Sequence, residues 1–222
     1  MAIDTIVSDD NLACLVGGAK IGNIKFSADF PNIRCFIGVD GGADHLLVAG
    51  IQPAAVIGDM DSISAEARAT FAEVVHQIDE QESTDFEKAL TRVTAPVIFA
   101  IGCTGGRIDH TLCALNVMAR YPQKTVVLID DDDVSFIAPV PNTYLNLPAG
   151  SRVSLMPLGP ITITATGLQW SVTDFAMDVV GKTSGSNAAC GGEIAVKTDG
   201  PLLITLPRRH LPAALKAVSP AG

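Results

Sequence analysis

Short apolar runs alternate with helical patterns over the first 130 residues of the chain. Five runs are almost continuously apolar, at residues 12–18, 33–40, 54–59, 95–102 and 124–130. Each ends at Gly or Asp, which is typical of buried strands in a parallel sheet. Between them, the spacing of apolar residues predicts helices starting near Ala43 and over 65–75, 84–93 and 109–120. The alternation predicts a parallel α/β sheet with helices on both faces.

The pattern changes after about residue 135, where Thr, Val, Gly and Pro become frequent and helical periodicity disappears. Five segments predict short antiparallel strands: TYLNLP, RVSLMPL, ITITATG, EIAVKTD and PLLITLP. Such segments, separated by turn residues, indicate a small β-sandwich or barrel. We therefore expect an α/β domain over residues 1–138 and a β-sandwich domain over 139–222. The acidic run Asp130–Asp133 before this boundary is interpreted as a solvated turn, with a metal site as the alternative.

Composition narrows the class of protein. The 222 residues are 48% hydrophobic but only 5% aromatic, so the core must be mainly aliphatic. A net charge of -9 argues against nucleic-acid binding, which needs a basic face. No apolar run approaches the ~20 residues of a membrane span. The N-terminal residues lack the charged and apolar regions of a signal peptide.

The five cysteines are scattered along the chain and form no CxxC pair. This distribution is typical of reduced thiols in a cytosolic protein and not of a disulfide framework or a zinc site. The sequence therefore predicts a cytoplasmic protein that does not bind nucleic acid or membranes.

Polar residues follow three of the predicted strands at the point where each strand ends. The sequences DGGAD, from Asp40, GDMDS, which contains Asp59 and Asp61, and GCTGGRIDH lie at these ends. Ligands of parallel α/β sheets gather at the carboxyl ends of the strands. Glycines there let the backbone approach a ligand, and helix N-termini favour anions. Tight strand-to-helix turns also need glycine, but three acidic, glycine-rich turns together favour a ligand site.

Asp59 and Asp61 stand one residue apart, just after a buried strand. Neighbouring carboxylates repel each other unless a cation meets them, although a polar turn in water is the alternative. Thr84 and Glu87 form a capping-box pattern that places Asp85 in the first turn of a helix. Asp85 then either complements the helix dipole or joins Asp59 and Asp61 as a ligand. Such hard oxygen ligands suit Mg²⁺.

Arg107 in TGGRIDH supplies a cation at the same edge, and a guanidinium is suited to a bidentate grip on phosphate. Asp109 either caps the following helix, holds His110 or contacts a substrate amine, whereas His110 is interpreted as an ordinary helix residue. No GxxxxGK[ST] motif occurs, which excludes a P-loop enzyme, and no GxGxxG follows the first strand. These groups indicate chemistry on a nucleoside triphosphate with Mg²⁺.

The ordered motifs DGGADHL, GDMDSI, STDFEKAL, GGRIDH and SGSN resemble those of thiamine pyrophosphokinases over most of the chain. The resemblance implies an α/β domain, a β-sandwich and a homodimer whose active sites lie between subunits. It also implies transfer of diphosphate from ATP to the hydroxyl of thiamine, which yields thiamine diphosphate and AMP.

Site residues follow from the resemblance position by position. Asp59, Asp61 and Asp85 are similar to Mg²⁺ ligands, and Arg107 to a phosphate-binding catalytic residue. Substrate-side positions are matched by Asp40, Thr84, Asp109, Ser184, Ser186 and Asn187. The aromatic residue usual two positions after the asparagine is Ala189 here. Trp170 is the alternative partner for the thiazolium ring, although a core position is the simpler interpretation of a lone tryptophan.

Two other functions fit parts of the pattern. A different Mg²⁺-dependent nucleotide transferase of the DxD type would bind a nucleotide sugar and ignore thiamine. A non-catalytic protein on the same scaffold would bind thiamine or ATP without turnover. The acidic cluster and Arg107 favour the enzyme, because a simple binding protein has little need of repelling carboxylates.

Overall fold

The computed structural model describes residues 3–219 and divides into two compact units. The first unit comprises residues up to Val117 together with Leu128–Asp131, and the second comprises Met118–Val127 and the residues from Asp132 onward. No helix within residues 3–219 is long and apolar enough to cross a membrane.

The first unit is an α/β structure. Its strands are β1 (Val7–Ser8), β2 (Leu12–Val16), β3 (Cys35–Val39), β4 (Ala55–Gly58), β5 (Val75–Gln77), β6 (Val93–Thr94) and β7 (Val97–Ile101). Its helices are α1 (Phe26–Asp29), α2 (Gly42–Val48), α3 (Ala65–Thr70) and α4 (Asp85–Arg92), with a short 3₁₀ turn at Ala72–Val74. Helix α5 (Ile108–Arg120) and strand β8 (Val126–Ile129) each have residues in both units.

Five strands of this unit form a parallel arrangement in the order β7-β2-β3-β4-β5. Every residue of β3, β4 and β7 is buried, as expected for strands covered on both faces. The predicted parallel α/β sheet is therefore confirmed. The helix predicted over 65–75 is shorter, because Val75 pairs with Val56 of β4 and the chain continues as a strand.

The second unit is mainly antiparallel. Its strands are β9 (Asp133–Ile137), β10 (Asn142–Leu147), β11 (Arg152–Pro157), β12 (Ile161–Thr166), β13 (Val172–Met177), β14 (Ser184–Ala188), β15 (Gly192–Thr198) and β16 (Leu202–Pro207). They pair antiparallel in the orders β10-β15-β12-β13 and β14-β11-β16-β9. A 3₁₀ turn (Arg208–His210) and helix α6 (Leu211–Val218) follow.

Buried and exposed residues alternate along β10 and β12, which is the pattern of sheets with one covered face. The predicted succession of an α/β part and an antiparallel β part is confirmed. The acidic run does not form a turn throughout. Asp131 accepts a hydrogen bond from the amide of Asn23, and Asp133 begins β9 and forms an ion pair with Arg152.

Candidate active site

Asp40 is the first residue after β3, and it lies at the carboxyl end of the parallel strands. Its side chain is buried, and its backbone adopts the left-handed conformation at a φ of 46°. The backbone amide of Asp40 donates to the carbonyl of Ile57 at 3.0 Å, which ties this corner to β4. A buried aspartate in this conformation is unusual and points to a functional position.

Gly58, the last residue of β4, makes room for this corner. A Cβ atom on Gly58 would lie 2.8 Å from the Cβ of Asp40 and 3.2 Å from Oδ1 of Asp85. Glycine at this position therefore allows both Asp40 and Asp85 to lie close to the strand end.

The turn after β4 brings Asp59 and Asp61 to the same site. Met60 between them is buried and has a φ of 68°, which is rare for a residue with a side chain. The amide of Asp61 donates to Oδ1 of Asp59 at 3.2 Å, and the hydroxyl of Ser62 donates to Oδ1 of Asp61 at 2.7 Å. These bonds hold both carboxylates in a compact turn.

Oxygen atoms of Asp40, Asp59 and Asp61 lie within 4.8 Å of one another. Three converging carboxylates form a donor set of hard oxygens, which fits a divalent cation. We refer to these three residues as the acidic triad. Burial raises the pKa of Asp40, and the negative charge of Asp85 raises it further, against the lowering effect of amide hydrogen bonds from Gly41 and Ser62.

Asp85 begins α4 and is held beside the triad by two hydrogen bonds. Its Oδ1 accepts from the backbone amide of Asp59 at 3.1 Å and from Nζ of Lys88 at 3.0 Å. Thr84 is the N-cap of the same helix, and its hydroxyl accepts from the amide of Glu87 at 3.3 Å, as the capping pattern predicts. The structure thus places Asp85 next to Asp59, but the carboxylate that converges with Asp59 and Asp61 is that of Asp40 and not, as the resemblance implies, that of Asp85.

Lys88 is the residue of this site that the sequence analysis missed. It is only 1% exposed, and its Nζ also lies 3.8 Å from Oδ2 of Asp59. The available signal was its position three residues after Asp85, on the same face of the helix.

Arg107 and Asp109 lie at the start of α5 and are both exposed. The guanidinium donates two hydrogen bonds to the carboxylate of Asp109, from Nε at 3.1 Å and from a terminal nitrogen. This contact lowers the pKa of Asp109 and raises that of Arg107. His110 is an exposed helix residue, as predicted. The pair is accessible to an anionic ligand from solvent.

In the second unit, the SGSN motif forms most of β14. Asn187 is buried, whereas Ser186 is exposed and Ser184 is partly exposed. The Nδ2 of Asn187 donates to the carbonyl of Trp170 at 2.9 Å, and its Oδ1 accepts from the amide of Trp170 at 3.1 Å. The Asn187 side chain therefore holds the backbone of the turn that precedes β13.

Trp170 is 59% exposed, so the interpretation of this tryptophan as a core residue is wrong. Ala189 is 4% exposed, and its amide donates to the carbonyl of Ser151 at 2.9 Å. Because Ala189 is buried, we expect a large aromatic ring at this position to strain the packing around it. Exposed aromatic residues of the second unit include Trp170 and, on β10, Tyr144.

Two family models cover most of the chain. The model described as "Thiamin pyrophosphokinase, catalytic domain" matches residues 29–129, and the one described as "Thiamin pyrophosphokinase, vitamin B1 binding domain" matches residues 142–203. The chain belongs to the thiamin pyrophosphokinase family. It is accordingly an enzyme of the diphosphokinase class, which transfers diphosphate groups.

Related proteins and structures agree with the family. Thiamine pyrophosphokinase 1 of Arabidopsis thaliana is 29% identical over an alignment of 213 positions, which covers 87% of this chain and 76% of the plant protein. Thiamine pyrophosphokinase 3 of Oryza sativa subsp. japonica is 28% identical over 72% of this chain and 67% of the rice protein. Among solved structures, thiamin pyrophosphokinase from Geobacillus thermodenitrificans has a TM-score of 0.74 and 25% identity, covering 88% of this chain and 96% of its own.

Proposed function

We propose that the chain converts ATP and thiamine into AMP and thiamine diphosphate with Mg²⁺ held by the acidic triad. The observation that supports this function is the convergence of Asp40, Asp59 and Asp61 within 4.8 Å, at strand ends of a chain that belongs to this family. The two alternative functions are less well supported. A nucleotide-sugar transferase would not match the two family models, and a simple binding protein would not need the acidic triad.

The acidic triad would bind the cation directly, and Asp85 lies beside it through the Asp59 amide. When bound, Mg²⁺ neutralises charge on the phosphate oxygens and polarises them for displacement. Arg107 would grip the phosphates once its guanidinium turns from Asp109 to the more highly charged ligand. The thiamine hydroxyl then attacks the β-phosphorus in line and AMP leaves, so the chain contributes mainly positioning and charge stabilisation.

The thiamine-binding residues belong to the second domain in this proposal. Ser184, Ser186 and Asn187 would form the wall of the thiamine site, with Asn187 acting through the turn that carries Trp170. The catalytic domain spans residues 1–138 and the thiamine-binding domain spans 139–222. We place the enzyme in the cytoplasm, because all five of its cysteines are free thiols.

We also propose a homodimer with active sites at the subunit interface. The chain has a mass of 23.1 kDa, so light scattering should give about twice that value at micromolar concentration. A fully active monomer would contradict this proposal.

The function is tested by incubating the protein with ATP, Mg²⁺ and thiamine and separating the products. We expect AMP and thiamine diphosphate in equal amounts. Release of ADP, turnover of a nucleotide sugar, or binding of thiamine without product would each reject the proposed reaction.

A further inference from the structure

Lys88 lies inside the first unit, in the middle of α4, and its side chain is almost fully shielded from solvent. Burying an ammonium group is costly unless acidic groups meet it. Its Nζ lies 3.0 Å from Oδ1 of Asp85 and 3.8 Å from Oδ2 of Asp59. Both partners border the proposed cation site, so this buried charge is coupled to the carboxylates that would hold the metal.

Asp59 is fixed at three points. Its Oδ2 faces Lys88, its Oδ1 accepts from the amide of Asp61 at 3.2 Å, and its own amide donates to Asp85 at 3.1 Å. The Asp85 oxygen in the last bond is the same one that accepts from Lys88. Lys88 therefore restrains Asp59 twice, once through the carboxylate and once through Asp85.

We propose that Lys88 is a positioning residue of the cation site, which orients Asp59 for the metal without touching substrate. The inference rests on the proposed function, because it requires the acidic triad to bind a divalent cation. In metalloproteins, residues that contact a metal ligand without binding the metal orient that ligand, and their loss typically weakens metal binding by about 10–100-fold. We infer the same role for Lys88.

The alternative role for Lys88 is charge balance alone, and the two roles predict opposite results. A lysine that only offsets negative charge also repels the incoming cation, so its removal should tighten metal binding. A lysine that orients Asp59 should weaken metal binding when it is removed, even though the site becomes more negative. The direction of the change in metal affinity therefore separates the two roles.

The probe is Mn²⁺, whose free concentration is measured by electron paramagnetic resonance in the absence of ATP and thiamine. We compare the wild type with Lys88→Met, which keeps the length of the side chain and removes its charge. Arg92→Met is the matched control, because Arg92 is a cation on the same helix that donates to the carbonyl of Lys88 and the hydroxyl of Thr91. We expect the Mn²⁺ Kd to rise about 10–100-fold in Lys88→Met and to stay within about threefold in Arg92→Met.

A Mn²⁺ Kd in Lys88→Met that equals or falls below the wild-type value overturns the inference. Circular dichroism establishes whether this variant is folded. If it is not, Lys88→Arg decides instead, because a wider guanidinium keeps the charge but cannot reproduce the two contacts. A several-fold rise in its Kd supports positioning, and an unchanged Kd rejects it.

Steady-state kinetics add a readout that loss of packing alone would not produce. In Lys88→Met, saturating Mg²⁺ should restore kcat to within a few-fold, while the KM for Mg²⁺ stays raised. A kcat that remains depressed at saturating Mg²⁺, with unchanged Mn²⁺ affinity, would assign Lys88 to the substrate and reject the inference. Failure of the proposed function looks different, because the wild type itself would then bind no Mn²⁺ or form no thiamine diphosphate.

Discussion

The side-chain amide of Asn187 holds both polar groups of the Trp170 backbone, with hydrogen bonds of 2.9 and 3.1 Å. The asparagine is buried and the indole is exposed. Because the backbone that carries the indole is already fixed, less conformational entropy is lost when the ring binds a ligand. This relationship presents the Trp170 ring on a fixed backbone, in a state suited to meet a cationic ring.

Replacing Trp170 should affect binding more than stability. We expect Trp170→Leu to unfold near the wild-type temperature, to raise the thiamine KM roughly 3–30-fold, and to leave kcat within a few-fold. The reason is loss of a cation–π contact with the thiazolium ring. Trp170→Tyr, which keeps an aromatic face, is the control and should recover most of the affinity.

The Trp170 prediction has a direct optical check. Trp170 is the single tryptophan of the chain, so thiamine should quench the intrinsic fluorescence of the wild type. Unchanged emission on addition of saturating thiamine would argue against contact at Trp170.

Asn187→Ala should also raise the thiamine KM. It should lower the free energy of unfolding by about 1–3 kcal/mol, since buried backbone groups lose their partners.

Asp61→Asn should abolish most activity without unfolding the protein. Turnover should fall by about 10²-fold or more, because a charged ligand of the cation is replaced by a neutral one. The metal-free variant should be as stable as the wild type or slightly more stable, since repulsion within the acidic triad decreases. Asp10→Asn removes the same charge at an exposed site and should retain full activity. Near-normal turnover in Asp61→Asn would exclude the triad as the metal site.

Gly58→Ala tests the close approach of Asp40 and Asp85 at the end of β4. The added methyl group would lie 2.8 Å from one carboxylate side chain and 3.2 Å from the other, so one of them must move. We expect a loss of about 1–3 kcal/mol in the free energy of unfolding and weaker Mn²⁺ binding. Gly159→Ala, where the nearest atom is 3.8 Å from the new methyl, should change stability by less than about 0.5 kcal/mol. Equal stability of the two variants would contradict this account.

His210 should make the stability of the protein depend on pH. Its Nε2 is shielded from solvent and has no hydrogen-bond partner among residues 3–219, and burial lowers the pKa of the ring. A folded pKa below the unfolded value of 6.5 means that unfolding takes up a proton, so stability falls as pH decreases through 6.5. His210→Leu should lose less stability than the wild type between pH 7.5 and 5.5 in urea titrations. Parallel pH profiles for the two proteins would show that His210 is not the cause.

The main strands of the first unit could be predicted from sequence because each is a continuous apolar run. Strand β9 could not, because Asp133 begins it and the acidic run conceals the alternation of its apolar residues. Strands β13 and β14 could not be predicted either, because each has a single buried residue and therefore no apolar alternation. They are strands because they pair with neighbouring strands. Helix α6 was missed after a series of strands, although Leu211–Val218 has no strand pattern.

The site could be predicted in part. Strand ends placed the acidic residues at one edge, but which three carboxylates converge depends on turn geometry that spacing does not reveal. Lys88 was missed because a charged residue on a short helix normally faces water, and only a tertiary contact with Asp59 reverses that expectation. Trp170 was uncertain for the same kind of reason, since its backbone is held by a tertiary contact with an asparagine 17 positions later.

Met60 shows why the residue between the two aspartates is not a neutral spacer. The left-handed backbone at this position costs about 1–2 kcal/mol for a residue with a side chain, whereas burying a methionine side chain stabilises by roughly 1.5–3 kcal/mol. Burial of the Met60 side chain thus offsets the cost of the left-handed backbone and stabilises the turn between Asp59 and Asp61. The identity of the residue between Asp59 and Asp61 therefore matters, because a buried side chain at this position holds the two carboxylates in one fixed geometry.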